Sequence, residues 1–212
     1  MPQSKPLIWT VLSDLGKVRV RFDNRKTCAA LAPHSSVYSE DGIYFLLFEQ
    51  SYRSRWEACM RGELAYPDYR SEMKRALHLK CSDDEFDRAL ADVFTDNEPI
   101  AALWKELRTH HTRIVTASNV EPVRHAQLIA MGVMDQFDGH CLSYVEKVAK
   151  PDPRFFKRAL EIGGSEPHET LFVDDHAEFC EVARSLGIHA EVYDIRRHDD
   201  FVRRLRERYL FS

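Results

Sequence analysis

The stretch Leu171-Phe172-Val173-Asp174-Asp175 limits the possible folds of this chain more than any other. Thr170 and three apolar residues run directly into a pair of carboxylates. A short apolar run bounded by turn chemistry reads as a buried strand. Asp is a poor strand residue, so the strand stops where the charge begins. A pair of carboxylates left at that end is costly unless something positive binds there. An Asp-Asp turn that caps the following helix is the plain alternative. Open α/β sheets, however, hold their ligand sites at this end of their strands.

At 212 residues the chain can form one large domain, or a domain with an inserted subdomain, and can bury a full core. With 30 basic and 34 acidic residues its net charge is −4, which gives no global attraction to nucleic acid or membrane surfaces. No apolar run approaches the ~20 residues that span a bilayer. Met1–Pro6 is polar and lacks the apolar centre of a signal peptide, so a frayed tail is expected there. The five cysteines (Cys28, Cys59, Cys81, Cys141 and Cys180) form no CxxC pair. Reduced thiols and a cytoplasmic location are expected from that usage.

Leu7–Leu12 is a second apolar run, and it ends at Ser13-Asp14-Leu15-Gly16. It has the same order as the first: buried strand, carboxylate at the exit, then a glycine free to take an unusual turn. Val18, Val20 and Phe22 alternate with Arg19, Arg21 and Asp23, which predicts a half-exposed hairpin. From Asn24 to Glu98 the pattern becomes helical. Phe45, Phe48, Tyr52, Trp56 and Cys59 predict one long amphipathic helix ending at Gly62. Ser82-Asp83-Asp84-Glu85 is a capping box opening a helix to Phe94. After a helix capped by Asn97, strands and helices alternate. Strands are expected at Arg113–Thr116, His140–Leu142, Thr170–Val173 and Ala190–Tyr193, with helices between and after them. Such alternation implies βαβ units and a parallel sheet.

Polar signatures therefore fall at the strand exits of an α/β core: Asp14, Thr116-Ala117-Ser118-Asn119, Lys150-Pro151-Asp152 and Asp174-Asp175. In this order, with a helical insertion between the first and second, they resemble the haloacid dehalogenase-like superfamily, most of whose members are magnesium-dependent phosphatases. Asp14-Leu15-Gly16-Lys17-Val18 is similar to the first motif of its D-x-G sugar-phosphate phosphatases and of the N-terminal phosphatase domain of soluble epoxide hydrolases. The resemblance implies a Rossmann-like α/β fold, a parallel sheet flanked by helices. Residues 1–23 and 99–212 would form this core, and residues 24–98 an all-helical cap.

It also implies roles. Asp14 would be the nucleophile that forms an aspartyl-phosphate. Mg²⁺ would be held by Asp14, the Gly16 carbonyl, Asp174 and Asp175. Lys150 would neutralise phosphoryl oxygens and keep Asp14 ionised, and Ser118 and Asn119 would orient the same oxygens. The substrate would be a small phosphorylated metabolite, with sugar phosphates the subgroup's example. Neither nucleic acid nor membrane is expected as a partner, and the protein is expected as a monomer or homodimer.

The pattern departs from the family's in several places. Gly16 stands where many members carry an acid/base Asp, Ser13 replaces an apolar residue, Lys17 replaces a small Asn or Gly, and His176 follows the acidic pair where Asn is usual. A catalytically silent binding protein on the same fold is therefore the alternative. Carbon–halogen cleavage fits less well, because true dehalogenases lack the acidic pair. In the insertion, Arg53, Arg55 and Trp56 are candidate substrate contacts, with a packed Trp and solvated arginines as the plain alternative. The C-terminal arginines, from Arg196 to Arg208, are expected on an exposed helix face.

Overall fold

Each buried strand of the central sheet divides its side chains between two hydrophobic clusters. In β2 (Thr10–Ser13), Val11 faces one cluster and Leu12 the other. In β7 (Thr170–Asp174), Leu171 and Val173 face the first and Phe172 the second. This is the period-two geometry of a strand covered on both faces. The computed structural model describes residues 5–49 and 51–211. The first four residues of the expected N-terminal tail lie outside them.

Five strands form the sheet, in the order β6 (Gly139–Leu142), β5 (Arg113–Ser118), β2, β7, β8 (His189–Val192). All neighbouring pairs are parallel. One face is covered by helices α6 (Glu98–Thr109), α7 (Pro122–Ala130) and α11 (His198–Arg208). The other is covered by α9 (Pro153–Gly163) and α10 (Ala177–Ser185). In register, Ser13 lies opposite Thr116 on one side and Val173 on the other. The next residues, Asp14, Ala117-Ser118 and Asp174, therefore leave the sheet at one edge. Strand order reverses about β2, and that edge is where an open α/β sheet leaves a crevice.

Residues 28–90 contribute a third cluster, centred on Met73, Phe86, Leu47 and Trp56. It is built from α1 (Asn24–Leu31), α2 (Glu40–Tyr44), α3 (Arg53–Met60), α4 (Tyr66–Ala76) and α5 (Asp83–Ala91). The Ser82/Glu85 capping box opens α5 as expected.

Several expectations are corrected here. The long helix over residues 45–59 is broken, with a π-helical turn at Phe45–Glu49 separating α2 from α3. The run Leu7–Leu12 is split into two. Leu7–Ile8 (β1) pairs with Leu210–Phe211 (β9), and only Thr10–Ser13 enters the main sheet. No hairpin forms from Val18–Asp23. Instead Val20–Phe22 (β3) pairs antiparallel with Phe94–Asp96 (β4), so the helix expected to reach Phe94 stops at Ala91. Period two is correctly read at Val20 and Phe22, but alternation does not reveal a partner more than seventy residues away. Arg19, expected to point outward, is buried and bonds Asp96 and Gln136. Among the described residues no helix is long and apolar enough to cross a membrane. The five cysteines are all buried and unpaired, and burial pushes the thiols of Cys28, Cys59, Cys141 and Cys180 up to about 12.

Candidate active site

At the C-terminal edge of the sheet Lys150 joins two strands. Its Nζ donates to Asp14 Oδ1 at 2.9 Å and to Asp174 Oδ2 at 2.5 Å. Burial by itself would push this ammonium down; the Asp14 and Asp174 carboxylates outweigh it and hold the group above its ordinary value. Lys150 is therefore a permanent cation, fixed between two acids. Asn119 orients it. Its side-chain oxygen accepts from the Lys150 N–H and its side-chain nitrogen donates to the Lys150 carbonyl, both at 2.9 Å.

The family resemblance implied that Asn119 would be a phosphate contact beside Ser118 and Lys150. Its amide is occupied at both ends by the main chain of Lys150, whose backbone it braces. Ser118 ends β5, is buried, and lines the cavity with Asp14 and Lys150. Asp152 caps α9 through the Arg154 N–H at 2.8 Å.

The acids converge. Carboxylate oxygens of Asp14, Asp174 and Asp175 all lie within 4.8 Å of one another. Asp174 is fully buried, and its Oδ1 also accepts from the His176 N–H at 2.8 Å. Desolvation pushes its carboxyl up to about 6, with Lys150 opposing and Asp14 reinforcing the shift. Desolvation raises Asp175 too, again with Asp14 adding to it. One buried lysine thus leaves the negative charge of three neighbouring carboxylates incompletely offset. The donors are all hard oxygens, as Mg²⁺ requires, so the residues present fit that ion. Asp14, Asp175 and the Gly16 carbonyl would hold it. Each oxygen of Asp174 accepts one hydrogen bond, from Lys150 or from the His176 N–H, and keeps a lone pair, so Asp174 could assist directly or through water.

The turn after Asp14 explains the unusual residues around it. Ser13 Oγ accepts from the Trp104 indole N–H at 3.2 Å, so the hydroxyl buried here has a partner. The left-handed residue is Lys17, with φ +56°, and not Gly16 as expected. Gly16 is required for space: a Cβ there would meet Phe22 Cε1 at 2.9 Å. Lys17 Nζ lies 3.4 Å from Asp175 Oδ2, and His176 Nε2 lies 3.8 Å from the same oxygen while its ring stacks on Phe179.

A cavity of about 1060 Å³ opens over this edge, walled on its far side by residues of the 22–94 segment. Of the three candidates in the insertion, Trp56 and Arg53 line it. Arg55 does not, and pairs with Glu72 at 2.5 Å. Sequence reading missed the ion pair of Arg124 and Glu121, nitrogen to oxygen 3.2 Å and both buried, in the cavity wall. Arg124 lies 4.5 Å over the Trp56 ring and donates to the Leu90 carbonyl and to Asn24 Oδ1. Glu121-x-x-Arg124 spacing at a helix start was the available signal. The C-terminal arginines are ion-paired throughout: Arg196 with Asp194, Arg197 and Arg203 with Asp200, Arg204 and Arg208 with Glu191, and Arg206 with Glu106.

Comparison with known proteins gives the family and the fold. The family model of the haloacid dehalogenase-like hydrolases matches residues 40–187, a span that includes Ser118, Lys150, Asp174 and Asp175. The sesquiterpene phosphatase astK of Aspergillus oryzae is 26% identical over 135 residues, 63% of this chain and 69% of that protein. Acyl-CoA dehydrogenase family member 10 of mouse is 44% identical over 54 residues, 26% of this chain but only 5% of the mouse protein. An enzyme of Bacteroides thetaiotaomicron solved with magnesium and inorganic phosphate superposes with a TM-score of 0.71 at 24% identity, covering 87% of this chain and 93% of that one.

Proposed function

The chain belongs to the haloacid dehalogenase-like hydrolases, and from that premise we propose that it is a Mg²⁺-dependent phosphomonoesterase acting through an aspartyl-phosphate on Asp14. The observation that carries this reading is the Asp14–Lys150–Asp174 bridge beside Asp175, a fixed cation set among three converging carboxylates. It accounts for buried charge that a helix cap would leave uncompensated. The names of relatives, a sesquiterpene phosphatase and an enzyme solved with magnesium and phosphate, support the same reaction class.

In this reading Asp14 supplies the carboxylate oxygen that attacks phosphorus. The ester P–O bond breaks, and the alcohol leaves with its electron pair and takes up a proton. Water then cleaves the acyl phosphate and restores Asp14. Lys150, charged and immobilised by Asn119, offsets the negative charge of the phosphoryl oxygens at the point of attack. The Ser118 hydroxyl orients one of them. Mg²⁺, when bound, adds Lewis-acid polarisation and neutralises the repulsion between carboxylate and phosphate. Gly16 has no side chain with which to protonate the alcohol. A general acid, typically worth roughly 10²–10⁴-fold, would have to come from elsewhere in the cavity.

Residues 24–98 serve as a lid over the strand edge in this account, with 1–23 and 99–212 as the catalytic body. A lid excludes water and completes the pocket.

Phosphate release from a panel of phosphate monoesters, with Mg²⁺ and with EDTA, tests the proposal. Release that EDTA abolishes and Asp14→Asn removes is expected. Release that survives in Asp14→Asn would sink the nucleophile assignment. Mg²⁺ binding without turnover on any ester would favour a silent binding protein.

A further inference from the structure

Resting on the phosphomonoesterase reading, we infer that the substrate is the phosphate ester of a large apolar alcohol, not of a sugar. The cavity over Asp14 measures about 1060 Å³. That is just above the ~300–1,000 Å³ that sites for drug-sized ligands occupy. A phosphoryl group held between Asp14 and Lys150 uses only the catalytic end of it.

The far wall decides what the rest can hold. Phe22, Leu47, Phe48, Trp56, Met60 and Phe94 make up most of it. Phe48 and Trp56 pack edge to face with centroids 4.7 Å apart, and Phe22 and Phe94 do so at 6.4 Å, so these rings are fixed surfaces. The charged groups of the same wall each have an ion-pair partner. Arg53 pairs with Glu57 at 3.1 Å, and Arg61 with Glu63 at 2.8 Å. Asn24 Oδ1 accepts from Arg124 at 2.7 Å.

On the wall formed by residues 22–94, the buried indole N–H of Trp56 has no hydrogen-bond partner among the described residues. Hydroxyls of a sugar laid against these six apolar side chains would lose water with little to bond there. Each one left unpaired costs its full desolvation penalty. A hydrocarbon chain or ring system gains from every apolar atom it places there. Continuity with the catalytic edge fixes the orientation, phosphate at Lys150 and apolar body against the rings.

The test compares geranyl phosphate with glucose 6-phosphate, both primary alkyl esters, by phosphate release in Mg²⁺. We expect kcat/KM at least about 100-fold higher for geranyl phosphate, the advantage that a few buried methylenes confer. Phe48→Ser should raise KM for geranyl phosphate about tenfold through lost apolar contact. Calorimetric binding of both esters to Asp14→Asn separates this inference from the catalytic one. If neither ester is hydrolysed but geranyl phosphate binds tighter, the phosphatase reading fails and the apolar pocket stands. If glucose 6-phosphate is the better substrate, or binds as tightly, the apolar pocket is refuted and the phosphatase reading stands. An unchanged KM in Phe48→Ser also refutes it.

Discussion

At the scale of residues, the site's oddities have local causes. Lys17 occupies a left-handed turn position at φ +56°, where side chains with a Cβ are strained and Asn is tolerated better. Its ammonium also stands 3.4 Å from Asp175, a ligand in the proposed metal site. Lys17→Asn should therefore stabilise the fold by about 0.5–1 kcal/mol in urea denaturation. It should also tighten Mg²⁺ binding several-fold by calorimetry, because a competing cation is removed. Asn119 is the counterpart on the other side of the site. Asn119→Ala deletes both hydrogen bonds to the Lys150 main chain. We expect a stability loss of about 1–3 kcal/mol and a fall in kcat that exceeds any change in KM. A rise in KM that exceeds the fall in kcat would mean that Asn119 contacts the substrate directly.

Which of these residues were legible in sequence follows from the kind of contact each makes. Asp14, Asp174 and Asp175 sit at the ends of buried apolar strands and Lys150 in the loop before α9, and their meeting could be anticipated through the family resemblance. The amide of Asn119 and the small size of Gly16 serve partners at Lys150 and Phe22. Nothing in the local pattern shows what a side chain meets across the fold.

At the scale of elements, Arg124 joins α7 to the helical segment. It is held by Glu121, the Leu90 carbonyl and Asn24, and lies against Trp56. Burial pushes the Glu121 carboxyl above its ordinary value, while Arg124 opposes that shift. Arg124→Met leaves this buried carboxylate unpaired, which typically costs about 3–5 kcal/mol. The sign of the pH dependence follows from the raised carboxyl. Protonated Glu121 needs no partner, so the variant's deficit shrinks as pH falls through the raised folded value and grows as pH rises above it. Chemical denaturation of both proteins across that range checks it. A deficit that widens in acid would contradict the burial argument.

The elements also show where helical periodicity misleads. Phe45 to Cys59 reads as one amphipathic stripe, yet a π-helical turn intervenes and the two halves present Phe48 and Trp56 to each other. The 3.6-residue spacing reports which side chains share a face; it does not report whether the axis is continuous. The β3–β4 pair escaped for a related reason, since its strands are three residues each and flank the whole helical segment.

For the molecule as a whole, the five-stranded order β6-β5-β2-β7-β8 brings residues from four separate stretches to one edge. The alternation of apolar strands with helices carried enough signal for the parallel sheet. Its order could be anticipated only through the family resemblance. Ion binding at that edge should be felt globally. Mg²⁺ that binds only the folded state raises the melting temperature in proportion to the logarithm of its concentration, and Asp175→Asn should remove most of that shift.

The covalent step on Asp14 is the part on which the rest depends. Acid-quenching the enzyme during turnover and weighing the peptide that contains Asp14 detects it directly. A phosphoryl adduct on Asp14, present with Mg²⁺ and substrate and missing in Asp14→Asn, is the predicted result. Turnover that continues with an unmodified Asp14 peptide, or in the Asp14→Asn protein, would contradict it.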